Sequence, residues 1–291
     1  MTIKAHPTAI IEDGAEIDEG CTIGPHVIIE SGAIIGADNE ICAGAYIHGC
    51  VRMGSRNRLM RGTSLGGVPQ DLGYRGEPTE LIIGDDNWFG ENTTVHRGTS
   101  ATGKTVIGNH NYIMVNTHIG HDLRFGNHII TGPNVMIGGE AEVRDRANLG
   151  AAAGIHQMTR VGELVMVGAM ARVVQDVVPF TMVANDGRLY GLNRIGIRRS
   201  DYPREHTPLL NTMYRDFCVK RKPLKAFLAG LREHPPNPFT EAWAAFLSVK
   251  SRRGYARSIG GEGEKAGTQP GQAAAESSSM TPVISPSQSR K

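Results

Sequence analysis

The stretch IGNHNYIMVNTHIGHDLRFG (Ile107–Gly126) carries a large apolar residue at every sixth position: Ile107, Ile113, Ile119 and Phe125. A period of six fits neither a helix, which repeats at 3.6, nor a half-buried strand, which repeats at two. The same step runs outward in both directions. From Ile11 it gives Ile17, Ile23, Ile29, Ile35, Ile41, Ile47, Met53, Leu59 and Leu65. Resumed at Ile83 it gives Phe89, Val95, Ala101, then the quoted stretch, then Thr131, Ile137, Val143, Leu149, Ile155, Val161, Val167 and Val173. Only Ala101 and Thr131 in that second series are not both bulky and apolar. This is the pattern of a hexapeptide parallel β-helix, in which each hexad forms one side of a triangular coil. Three hexads close the coil, so residues 18 apart stack at strand spacing, about 4.8 Å. Residues 11–173 then make about nine or ten coils around a continuous ladder of inward aliphatics. Glycine often follows the aliphatic, as in Ile119-Gly120 and Ile137-Gly138, and is expected at corners where a Cβ would clash or φ is unusual.

The register breaks visibly between Leu65 and Ile83, where GGVPQDLGYRGEPTE is polar and rich in Gly and Pro, the mark of an excursion at 66–80. Past Pro179 the period ends. From His206 to Leu247 apolar residues recur at three and four (Leu210, Met213, Tyr214, Phe217; Leu224, Phe227, Leu228, Leu231; Trp243, Phe246, Leu247), with Pro223 and Pro238 placed to start helices. The expected organisation is a β-helix over 1–190, a helical C-terminal domain over 191–257, and a disordered Gly-, Ser- and Pro-rich tail over 258–291.

Hydrophobic residues are 40% of 291, enough for a substantial core, and the 37 glycines follow no strict triplet, which excludes collagen. Four cysteines without C-x-x-C spacing read as reduced thiols, no apolar run approaches a membrane span, and the N-terminus has no signal-peptide pattern. A cytoplasmic protein is expected. The net charge of +2 hides an asymmetry: between Arg188 and Arg257 there are 15 Lys or Arg against 5 Asp or Glu. Such a segment attracts acidic partners.

With Ile119 inward, His118 and His121 face outward. Ile137 and Ile155 lie above Ile119 by the 18-residue step, so His121, Gly138-Gly139-Glu140 and His156-Gln157 fall along one edge of the prism. Two chemistries suit that cluster. A metal would need three converging ligands, for which Glu140 could join the histidines. General-base catalysis would need a neutral imidazole oriented by a carboxylate, as His121 with Asp122, and bare backbone N–H at Gly138-Gly139 to hold an oxyanion.

Five pieces, QDLGYRGEPT (Gln70–Thr79), TTVHRGT (Thr93–Thr99), NTHIGHD (Asn116–Asp122), GIHQ (Gly154–Gln157) and GLNRIGIRRS (Gly191–Ser200), resemble the UDP-N-acetylglucosamine acyltransferases that begin lipid A synthesis. The resemblance runs from about His6 to Tyr255. It implies a left-handed β-helix homotrimer with sites between subunits and a helical C-terminal domain. The implied reaction moves a 3-hydroxyacyl group from acyl carrier protein to the sugar 3-hydroxyl, without a cofactor, a metal, nucleic acid or a membrane span. Carried over, His121 matches the base, Asp122 its hydrogen-bonding partner and Gly139 the oxyanion N–H. Gln70, Asp71, His118, His156 and Gln157 match positions lining the sugar and acyl pocket, with Glu140 beside them. Asn193 and Arg199 match nucleotide contacts, and Ala169 a position whose bulk bears on acyl length, alanine for glycine pointing to a shorter chain. The basic segment corresponds to the surface that receives the acidic acyl carrier protein. Three positions depart from the pattern: Gly73 for lysine, Glu140 for histidine and Ile195 for an acidic residue. They keep two alternatives in view, an acyltransferase for another UDP-sugar or an amino sugar, and a non-catalytic β-helix that binds such ligands.

Overall fold

The computed structural model describes residues 2–258; the tail expected to be disordered lies, apart from its first residue, outside them. The repeat forms a left-handed parallel β-helix whose three faces are sheets of 11, 9 and 8 short strands among the described residues. Every strand pair is parallel except the last, where Thr181–Val183 meets Leu189–Leu192 antiparallel. Ile119 pairs with Ile137, and Ile137 with Ile155, which is the 18-residue stack that the period predicts. The aliphatic ladder is buried from Ile23 to Val173, while Ile11, on the first coil, remains 37% exposed with nothing stacked before it.

A second inward ladder runs two residues ahead of the first, built of smaller side chains such as Cys21, Val27, Ala33, Thr63, Ala147 and Ala171. Four of its members are asparagines. Asn39, Asn57, Asn87 and Asn111 lie 0–1% exposed, and each side-chain oxygen accepts from the backbone N–H of the coil above, at 2.7–3.0 Å. Their amide nitrogens donate to glycine carbonyls, so these four buried amides are satisfied without water.

The corner chemistry bears out one half of the expectation. The glycines that follow an aliphatic serve close approach, since a Cβ on Gly120 would lie 2.7 Å from Gly139 N. The left-handed backbone falls later in the turn, mostly on non-glycine residues such as Asn116, Asp122, Asn134 and Glu140, with φ between 57° and 60°.

There are two excursions rather than one. Leu65 pairs with Val95, thirty residues on, so the first loop (residues 68–79) adds two hexads. Val95 pairs with Ile119, twenty-four on, so a second loop, at 97–103, adds one. Ala101 is therefore exposed on that loop instead of facing inward. An insertion of one whole hexad leaves the step of six unbroken and invisible in the sequence.

Beyond the prism come α1 (Arg194–Arg199), α2 (Thr207–Tyr214), α3 (Leu224–Leu231) and α4 (Pro238–Ser248). Pro223 caps α3; Pro238 opens α4 behind a reciprocal Asn237–Thr240 capping box. Phe217, Phe227, Phe239, Trp243, Phe246 and Leu247 form their core. The helices are tied to the prism by Arg160 and Asp176. The guanidinium pairs with the carboxylate at 2.7 Å, donates to the Phe246 carbonyl at 2.9 Å and lies 4.5 Å from that ring. The chain then returns to the prism, where Asp176 N donates to Gly254 O and Ala256 N to Asp176 O. Among the described residues no helix is long and apolar enough to cross a membrane.

Candidate active site

The coil corners after Ile119, Ile137 and Ile155 stack above one another, and a cavity of about 460 Å³ opens against them. Its lining includes His118, His121, Gly139, His156 and Gln157, with Gln70 reaching in from the first excursion.

His121 sits on the turn before the left-handed residue Asp122, so both project from one corner. Its Nδ1 lies 2.8 Å from Asp122 Oδ2. The Asp122 side chain is fully buried. It also accepts from Thr99 N at 3.0 Å, Thr99 Oγ1 at 2.7 Å and, closer still, Thr102 Oγ1. Burial pushes this carboxyl up, but the hydrogen bonds from Thr102, His121 and Thr99 outweigh it and hold the group below the usual carboxylate range. With the carboxylate accepting from Nδ1–H, the neutral form of the ring carries its lone pair on Nε2. The second excursion thus supplies the groups that fix Asp122, and Asp122 fixes the imidazole.

Gly139 faces Nε2: a Cβ there would lie 2.5 Å from it. Among the described residues the Gly139 N–H has no hydrogen-bond partner, while its neighbour Glu140 N donates to His121 O at 2.9 Å. With the ring neutral, the corner presents a ring-nitrogen acceptor beside a free backbone donor, a pairing suited to removing a proton and holding a nearby oxyanion.

His118 Nδ1 is bonded to Thr94 Oγ1 at 2.8 Å. Burial, and then the proximity of His121, pushes His118 down. His96 packs edge-on against His118, with ring centroids 4.8 Å apart, and burial followed by His118 and His121 brings it down to about 4. Both rings are neutral at pH 7. His96 is a lining residue that sequence reasoning missed, because the hidden hexad at 97–103 places Val95, not Ala101, beneath Ile119. Met136 and Arg172 also line the cavity, and the 18-residue step from His118 and Gly154 reaches both.

The remaining positions lie elsewhere. Asp71 is exposed on the first excursion, where it accepts from Gly73 N at 2.7 Å. Glu140 stands on the same edge as His121 and His156, yet it turns to Arg252, whose Nη1 lies 2.5 Å from Oε2. Asn193 caps α1 by accepting from Gly196 N and donates to Leu164 O, both at 2.9 Å. Arg199 and Ala169 are exposed, and neither they nor Asn193 line this cavity in their own chain. Arg253 joins the site unannounced by any motif. Its guanidinium contacts His156 Nδ1 closely and donates to Gln157 O at 3.0 Å.

Residues 176–256 match the family described as Udp N-acetylglucosamine O-acyltransferase, domain 2. A protein of Burkholderia orbicola named acyl-[acyl-carrier-protein]–UDP-N-acetylglucosamine O-acyltransferase is 41% identical over 232 residues, 79% of this chain and 88% of that one. One of the same name from Anaeromyxobacter dehalogenans is 39% identical over 255 residues, 87% of this chain and 99% of that one. The crystal structure of UDP-N-acetylglucosamine O-acyltransferase from Moraxella catarrhalis superposes with a TM-score of 0.81 at 34% identity, covering 88% of this chain and all of that one.

Proposed function

The chain belongs to the UDP-N-acetylglucosamine O-acyltransferases, and from that membership we propose that it moves a 3-hydroxyacyl group from acyl carrier protein to the 3-hydroxyl of UDP-N-acetylglucosamine, with His121 as general base. The observation that carries the base assignment is the His121 Nδ1–Asp122 Oδ2 contact of 2.8 Å, which leaves Nε2 free on the cavity side. In this reading Nε2 takes the proton of the acceptor hydroxyl as its oxygen attacks the thioester carbonyl carbon. The carbonyl oxygen becomes an oxyanion held by the Gly139 N–H. The intermediate collapses by breaking the carbon–sulfur bond, and the departing thiolate takes the proton from the imidazolium. No acyl-enzyme is needed.

His118, His156, Gln157 and Gln70 would contact the sugar and acyl chain. The neutrality of His118 and His96 favours a site for uncharged groups, and the pairing of Glu140 with Arg252 favours a hydroxyl over an amine acceptor, since that carboxylate's charge is already met. Asp71, Asn193, Arg199 and Ala169, which are away from the cavity of their own chain, we assign to the cavity of a neighbouring subunit in a homotrimer. The basic segment, 15 Lys or Arg against 5 Asp or Glu, suits an acidic carrier protein, and four free cysteines suit a reducing cytoplasm. The test is acyl transfer from carrier-protein thioesters to UDP-N-acetylglucosamine beside its 3-amino analogue. The reading expects turnover with the former that His121→Ala lowers by on the order of 10²-fold or more, with the trimer intact. Retained activity in that variant removes the base from the mechanism.

A further inference from the structure

Two consecutive arginines from the far end of the chain clasp two consecutive corners of the cavity. Arg252 reaches Glu140, 112 positions back, and Arg253 reaches His156 and Gln157. The segment that carries them is fastened to the prism. Arg253 N donates to Ser251 Oγ, Ser251 Oγ donates to Gly254 O, and Gly254 O accepts from Asp176 N at 2.8 Å. Glu140 holds a left-handed backbone with φ 57°, follows the Gly139 amide directly, and bonds its own N–H to the His121 carbonyl. A fixed Glu140 side chain therefore restrains the residue next to Gly139 and, through the two backbone torsions of Gly139, the N–H on its other side.

We propose that Arg252 is a positioning residue, which through its ion pair with Glu140 holds the Gly139–Glu140 corner so that the Gly139 N–H stays aimed at the space beside His121 Nε2. The inference rests on the acyl-transfer reading of the same site. Arg252 touches no substrate in this scheme; it acts through Glu140. The pair contributes little stability, because the arginine side chain is 57% exposed and solvent screens such pairs. Its effect falls on geometry, where a displacement of a fraction of an ångström in an oxyanion donor costs rate rather than binding. An exposed pair is also screened by salt, so the alignment is sensitive to ionic strength.

The experiment compares Arg252→Ala, Glu140→Gln, the double variant and the reversed pair Glu140→Arg with Arg252→Glu, in the full chain, with acyl carrier protein thioester and UDP-N-acetylglucosamine. Each single change is expected to lower kcat by about tenfold with KM within about twofold. The double variant is expected to be no worse than either single, Arg252→Lys to recover part of the loss, and the reversed pair most of it. Losses that multiply in the double variant, or an unchanged kcat in Arg252→Ala, overturn the proposal. A wild-type chain without turnover would instead count against the acyl-transfer reading. The pair is then read from the His121 ring signal in protein labelled at histidine Cε1, which shifts in both single variants and returns in the reversed pair if Arg252 positions this corner. A signal unmoved in all of them sinks it.

Discussion

Gly139 and His121, eighteen residues apart and on adjacent coils, approach so closely that a single methyl on Gly139 would lie 2.5 Å from the imidazole Nε2. The backbone at Gly139 is not left-handed, so alanine brings no conformational strain of its own. The penalty is confined to the ring, which must move off the acceptor position. Gly139→Ala is expected to lower kcat/KM by roughly 10²-fold or more while circular dichroism and the melting temperature stay near wild type. Near-normal turnover would mean that the two groups do not act on one substrate atom.

Asp122 makes a second case. Its carboxylate is held below the usual range, so it binds a proton less readily folded than unfolded. Stability from this group is present above the unfolded pKa, about 3.9, and is lost as pH falls through the lower folded value. Asp122→Asn is expected to flatten the acid limb of the stability curve below about pH 4. At neutral pH it lowers transfer by roughly 10²- to 10⁴-fold, since an amide can present its NH₂ to Nδ1 and favour the wrong tautomer. Urea unfolding at a series of pH values, beside steady-state rates, separates the two effects.

How far the sequence reached is clearest along this edge. The step of six, and its triple of 18, brought Ile119, Ile137 and Ile155 into register and so set His121, Gly139 and His156 on neighbouring coils. Periodicity reports residues whose burial repeats, and these sit at fixed offsets from buried ones. It was silent where repetition fails. The one-hexad loop at 97–103 kept the period intact, and so concealed both His96 and the threonines that hold Asp122. Burial of the asparagine ladder was equally hidden, because a polar residue inside the prism depends on partners 18 to 30 positions away. Arg252 and Arg253 meet the site through tertiary docking, for which no local spacing exists.

His96 carries a pH signature of the opposite origin to that of Asp122. Burial brings it down to about 4, so between about pH 6.5 and 4 the unfolded chain binds a proton that the folded chain refuses. Stability is full above about 6.5 and falls as pH drops through that window. His96→Gln is expected to reduce the slope between pH 6.5 and 4, as read by thermal melts across that range. An unchanged slope would mean that the ring takes up its proton in the folded state as readily as in the unfolded one.

Arg160 and Asp176 offer the test of how the helices are held. The Arg160 side chain is 9% exposed and that of Asp176 fully buried, and the pair also binds the Phe246 carbonyl of α4. Truncating one member leaves the other charge buried without its partner, which costs about 3–5 kcal/mol. Asp176 has a further duty, because its Oδ1 accepts from the backbone N–H of Arg160 at 2.9 Å. Asp176→Ala strands that amide as well as the guanidinium and is expected to be the more damaging single change. Replacing both, Asp176→Asn with Arg160→Met, removes both charges and keeps an oxygen for the amide. Urea midpoints should therefore place this double variant above Asp176→Ala, although it carries one more substitution. If its loss equals or exceeds that of Asp176→Ala, the damage comes from the lost contacts themselves and not from a stranded charge. If neither variant shifts the midpoint, the helices are held by their apolar core and not by this pair.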